Sequence, residues 1–349
     1  MSEALKSPSP STPPKKSLTE IFNKFAADAV ERFPHLKGQI MVVNMNQMKA
    51  YGNKDIDTKK TGLTPETALE YVSNHPITQE LKDDKGASSC ATFDPKQKVN
   101  LIFINDGVPK EQFDNVSKET EQHLLFVLDH ELAHCGIKDG FSRASSSRDY
   151  KILLSESVAD AYAMIRHYQR YGAESDPRNK YIGSGARANH FVLGGDNVHF
   201  TSFVLDAIVK RKGDIDFDKL TPEQTADLAR RFAMKYMPPE RALEDLGWTF
   251  SAIRSEFRKD PNGGMKALIE KALDPASDYY TFKMASLWLK PMLEDRTFMD
   301  GKPIGLPKEY LDDAAAKMKV RDAKFEKEDI LFNMPIKTKK AAPPSKIAA

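Results

Sequence analysis

The stretch FVLDHELAHCGIKDGF, residues 126–141, sets His130 and His134 four positions apart, with Glu131 beside the first. Leu124, Leu125, Val127, Leu128, Leu132 and Cys135 cover most of the circumference of the helix that this pattern predicts. Such a helix is expected to be substantially buried. Histidine and glutamate are costly to bury unless something satisfies them. Residues i and i+4 lie one above the other on a helix face, so both imidazoles can offer a ring nitrogen to one point. That is the HExxH spacing of zinc sites, in which the glutamate reaches a bound water. Two surface histidines on an amphipathic helix are the plain alternative. Chance gives HExxH in a chain of this length only about one time in a hundred.

A catalytic zinc takes three protein ligands and keeps a fourth position open. The pattern HExxHxxGxxH would require glycine at 137 and histidine at 140, where this chain has Ile137 and Gly140. That ligand set is excluded. A carboxylate from a second helix is the remaining choice, and SESVADAYA (155–163) supplies Glu156 and Asp160 on one stripe with Leu153 and Ala163. Two acids on an inward stripe, without helical counter-charges, call for another partner. Glu156 is expected to be the third ligand, and Asp160 to accept a hydrogen bond from the far nitrogen of a ligand histidine. A solvated acidic face is the competing reading.

Outward from this helix, the chain changes character. Ser117 is expected to cap the helix, Glu119 and Glu121 favour its first turn, and Gly136 is a candidate stop. Upstream, LTEIFNKFAADAVERF (18–33) has helical apolar spacing, GQIMVVNM (38–45) and KVNLIFIND (98–106) read as strands, and a helix is expected near 65–74. Asn105-Asp106-Gly107 is a turn signal. Downstream, a long helix is expected from Tyr150 to Tyr171, then a Gly-rich irregular stretch over 172–198, then helical pattern to about Lys327. The expected fold is α+β, with a mixed α/β lobe over 18–136 that carries the HExxH helix and a mostly helical lobe over 137–336. Residues 1–17 read as a disordered leader and 337–349 as a disordered basic tail.

The charge excludes some partners. The formal net charge is +2, and Lys337, Lys339, Lys340 and Lys346 in the tail account for it, so no nucleic-acid footprint is expected. The two cysteines, Cys90 and Cys135, form no CxxC and no disulfide framework, which suits a reducing compartment. No run approaches the length of apolar sequence that a membrane span requires. The N-terminal residues carry no apolar core of a signal peptide. The expected location is the cytoplasm, or outside the cell by a route without a cleavable signal.

HELAH followed by ESVAD resembles the gluzincins, the thermolysin-like zinc metallopeptidases. The resemblance covers about 100–208 and implies Zn²⁺ held by His130, His134 and Glu156, with Glu131 as general base and Asp160 as the supporting acid. It also implies an oxyanion-stabilising histidine on a later segment, which GGDNVHFTSFVLDAI (194–208) matches through His199. The implied activity is hydrolysis of a peptide or protein substrate by a metal-activated water, in a zincin-like cleft between the two lobes. Strand 98–105 is expected to be an edge strand that binds extended peptide, with Asn105 holding a backbone group. His167 reads as an end-of-helix residue. Two other classes fit the same residues: a degenerate zincin that keeps metal and binds a partner without catalysis, and a zinc hydrolase of a non-peptide substrate.

Overall fold

The computed structural model describes residues 16–52, 64–75, 78, 88–94, 99–137, 147–175, 184–195, 199–298 and 300–328. The chain divides into two compact units, Met1–Gly136 and Ile137–Ala349. Among the described residues the strands all belong to the first, and the second is helical.

The first unit begins where the expected leader ends. Lys16 bridges to Val116, and Ser17 caps helix α1 (Leu18–Arg32) in a capping box with Glu20. These two residues therefore belong to the fold rather than to a leader; residues 1–15 and the tail lie outside the described residues. After α1 come β1 (Ile40–Asn44), β2 (Lys49–Gly52), α2 (Pro65–Ser73), β3 (Ser88–Asp94), β4 (Val99–Asn105) and α3 (Lys118–Gly136). The strands form one four-stranded sheet in the order β2-β1-β4-β3. β1 runs antiparallel to β2 and parallel to β4, and β3 runs antiparallel to β4.

β1 is apolar at nearly every position because both faces of the sheet are covered. Met41, Val43, Leu101 and Phe103 pack with Ala68 and Val72 of α2 on one face. Helices α1 and α3 lie against the strands as well, and Phe22 of α1 stacks on Tyr51 of β2 at 5.1 Å. Asp106 ties the ends of β1 and β4 together by accepting from Asn44 and Asn46, each at 2.6 Å. Gly107 follows with φ +63°, the left-handed turn that Asn-Asp-Gly predicts.

Two findings depart from the sequence reading. β2 and β3 were not expected, since KAYG is short and SSCATFD is poor in β-formers; both form by pairing with the two apolar strands. The second concerns β4, which pairs on both sides, with β1 through Asn100–Ile104 and with β3 through Val99–Asn105. It is an inner strand. Its main chain is not open to an added peptide, and the peptide-binding part assigned to Asn105 falls with the edge it required.

α3 ends at Gly136, as expected, and a Cβ there would lie 2.6 Å from the ring of Phe33. Glycine is needed for that close approach.

In the second unit α4 (Arg148–Tyr171) is capped by Ser147, whose hydroxyl accepts from Tyr150 N. The stretch expected to be irregular holds a short helix, α5 (Ser184–Asn189), continued by a π turn over His190–Gly194. Tertiary bonds hold it: Trp288 Nε1 donates to Asn189 Oδ1 at 2.9 Å, and Arg254 donates to the carbonyls of Phe191 and Val192. Then follow α6 (Ser202–Lys210), α7 (Pro222–Tyr236), α8 (Glu240–Lys259), α9 (Pro261–Leu273), α10 (Tyr279–Asp295) and α11 (Lys308–Glu328). α4 packs mainly on α6 and α7, and α10 buries Trp288, Met284 and Phe282 among α5, α9 and α11. Among the described residues no helix is long and apolar enough to cross a membrane.

Candidate metal centre and active site

The first half of the site is on α3. From Leu124 onward the helix is buried nearly all round, as its composition predicts, and His130 and Glu131 are each 7% exposed. The two imidazoles meet edge to face with centroids 4.9 Å apart, and their Nε2 atoms stand 3.2 Å from one another. Two ring nitrogens each about 2.0–2.1 Å from a tetrahedral zinc would stand about 3.3 Å apart. The pair thus has the spacing a tetrahedral ion asks for, and neutral imidazoles turned this way would point two lone pairs at the same place.

Glu131 is held from the sheet. Ser89 Oγ on the edge strand β3 donates to Glu131 Oε1 at 2.6 Å, fixing one carboxylate oxygen. The sequence reading missed Ser89, because β3 carries no pattern that announces a strand beside α3. It also passed over Asp129, which is 1% exposed next to the first histidine.

The second half is on α4. His199 Nε2 lies 3.6 Å from Glu156 Oε2, so the structure brings these two predicted residues together although they come from different elements. The segment carrying His199 is fastened by Asp160, one helical turn beyond Glu156. Asp160 is fully buried; its oxygens accept a fork of two bonds from Arg187, Nε at 2.7 Å and Nη2 at 2.8 Å, and a third from the hydroxyl of Thr201. Thr201 stands at the start of α6 but makes no side-chain cap there, because its hydroxyl is turned to Asp160. Its amide donates to His199 O at 2.8 Å.

The solvated-face reading of this acidic stripe is thereby overturned for Asp160, and its carboxylate has a use the sequence did not show. Beside the service to a ligand histidine that its spacing suggests, the bonds described make it the clamp that holds Arg187 and Thr201, two residues beyond His199. Arg187 and Thr201 were missed. The one signal was an acid on an inward stripe with no lysine or arginine three or four residues away on its own helix, which requires a partner from elsewhere.

Other candidates resolve simply. His167 is 2% exposed, with its ring 5.0 Å from that of Tyr171, so it is an interior residue and not a helix-end charge. Burial pushes the His123 imidazole below its ordinary value, against the opposing pull of Glu119. Burial likewise pushes the Tyr150 phenol up, and its hydroxyl donates to Pro238 O at 3.2 Å. No protein family matches the chain, and no curated protein or solved structure is similar to it.

Proposed function

We propose that the protein is a zinc-dependent peptidase of the gluzincin kind, with a zincin-like arrangement of HExxH helix, edge strand and second ligand helix. His130, His134 and Glu156 are a donor set that could hold one metal ion. Two imidazoles and a carboxylate suit zinc better than magnesium or calcium, which prefer oxygen donors. The observation that carries the reading is the pair of Nε2 atoms at 3.2 Å from one another, directly beside a glutamate that Ser89 holds at one oxygen.

Zinc bound there supplies Lewis-acid polarisation of a carbonyl and brings the pKa of a coordinated water near 7. Glu131 accepts the proton of the attacking water at Oε2 and hands it to the leaving amine. Ser89 keeps that carboxylate turned to its task. His199 donates a hydrogen bond to the oxyanion, a contribution typically worth a few kcal/mol to the transition state. Asp160, through Thr201, sets where His199 stands.

The test compares three purified full-length proteins for zinc content and for cleavage of a peptide library. The parent is expected to hold about one zinc per chain and to cleave. His134→Ala loses the metal, whereas Glu131→Gln keeps it while turnover falls roughly 10²–10⁴-fold. Full zinc retention in His134→Ala removes the metal from this helix. Equal hydrolysis by parent and Glu131→Gln at matched zinc content removes Glu131 as the base.

A further inference from the structure

The second unit holds a cavity of about 440 Å³ that the proposed chemistry does not use. Leu153, Phe191 and Phe200 give it a buried apolar floor. Trp248 of α8 stands at its edge 81% exposed, the most exposed of the large apolar side chains among the described residues. Asp149, Glu240 and Glu244 contribute carboxylates, and Arg254 is the one lining cation among the described residues. That cation is already engaged: Arg254 Nε donates to Val192 O at 3.1 Å and Nη2 to Phe191 O at 2.9 Å. Glu240 stays ionised, because hydrogen bonds from Ser147, including its amide at 3.0 Å, hold the carboxyl below its usual range.

An indole that leaves its face in water is costly unless something covers it. Beside carboxylates and an apolar floor, the fitting cover is a cation on an aliphatic stem. The stem lies on Leu153 and the phenylalanines, the charged head sits over the indole, and the acids neutralise it. A neutral aliphatic side chain would fill the floor and leave the carboxylates unanswered. An acidic one would be repelled.

We infer that this cavity receives a lysine or arginine side chain of the substrate peptide, which rests, for its place in the reaction, on the peptidase reading above. α4 carries both Tyr150 and Leu153 of the cavity and the ligand candidate Glu156. At about 1.5 Å of rise per residue, Tyr150 lies about 9 Å along the helix from Glu156. An extended peptide advances about 3.4 Å per residue, which places the basic side chain roughly two or three residues from the scissile bond. Phe200, next after His199, lines the same cavity. The preference therefore concerns a residue near the cleaved bond and not at it.

The experiment uses full-length, metal-loaded Glu131→Gln protein, which binds without turning over. Two blocked heptapeptides are titrated, identical except for arginine or norleucine at one position. Binding is read by calorimetry and by Trp248 emission, with Trp288, 1% exposed, as a constant background. The arginine peptide is expected to bind about tenfold more tightly, from two or three exposed charge contacts and the indole. Adding Glu240→Gln and Glu244→Gln together should abolish the preference while keeping the amide that Ser147 needs as an acceptor. Trp248→Ala should weaken the arginine peptide about two- to fivefold and remove the emission change. Equal affinities, or a preference that survives the double substitution, overturn the inference. Parent protein that cleaves both peptides equally well also overturns it and leaves the peptidase reading standing. Selective binding by a parent that cleaves neither supports the cavity and removes the peptidase reading.

Discussion

In the first unit, His130, Glu131 and His134 come from a single turn and a half of α3, and helical geometry alone brings the two imidazoles together, edge to face. In the second unit nothing so local operates. Glu156 and His199 come from different elements, and the segment carrying His199 is held by a buried ionic clamp from Asp160 to Arg187 and Thr201, 27 and 41 residues further on. One half is a property of a helix; the other is a property of tertiary folding. A buried carboxylate is tolerable only while its partners remain, because the desolvation cost is fixed and the compensation is not. The second half should therefore fail by unfolding, and the first by losing chemistry.

The largest effect expected on this contrast comes from Arg187→Ala. It leaves Asp160 charged and buried without its fork, which costs about 3–5 kcal/mol. For a unit near two hundred residues that corresponds to a fall in Tm of about 10 °C, read by thermal unfolding. Arg187→Lys should fall between, because a point charge cannot form both bonds of the fork. A loss below about 1 kcal/mol in Arg187→Ala would mean that the clamp is not what holds the second half. Gly136→Ala tests the first unit in the same currency. Its Cβ would meet the Phe33 ring at 2.6 Å, so the ring or α3 must shift, at about 1–3 kcal/mol. If stability is unchanged, the end of α3 is looser than the contact implies.

Ser89→Ala should have the smallest effect and a different kind. Losing a hydrogen bond to a charged group is worth about 1.5 kcal/mol, hence roughly tenfold in kcat/KM, with zinc content and Tm near those of the parent. A lower Tm with unchanged kcat/KM would make Ser89 a structural tie and not a positioning residue for Glu131.

This contrast also explains what could be read in advance. The approach of His130 to His134 beside Glu131 was visible because it lies in a spacing of four, and β1 and β4 because both carry near-continuous apolar runs. Glu156 was reachable as an acid on an inward stripe. Ser89, Arg187 and Thr201 were not, since each acts across a distance that no local period reports. The strand order was missed for the same reason: KVNLIFIND reads equally well as edge or centre, and only the pairing of the unpromising SSCATFD with it decides. Calling it an edge misassigned Asn105. His167 looked like a dipole partner because its position near a helix end was visible and its burial was not.

The clamp on Asp160 also bears on how the chain is made. Synthesis runs from the N-terminus at about 5–20 residues per second, and Thr201 follows Asp160 by 41 residues. Arg187 follows the end of α4 at Tyr171 by only 16 residues, so for about 1–3 seconds α4 is complete while its central acid still has neither Arg187 nor Thr201 to receive it. Over that interval the carboxylate favours water, and it opposes the collapse of the largely apolar face that Leu153, Ala163 and their neighbours give α4 onto whatever has already emerged. Asp160 is thus expected to delay the packing of α4 until Arg187 has been added.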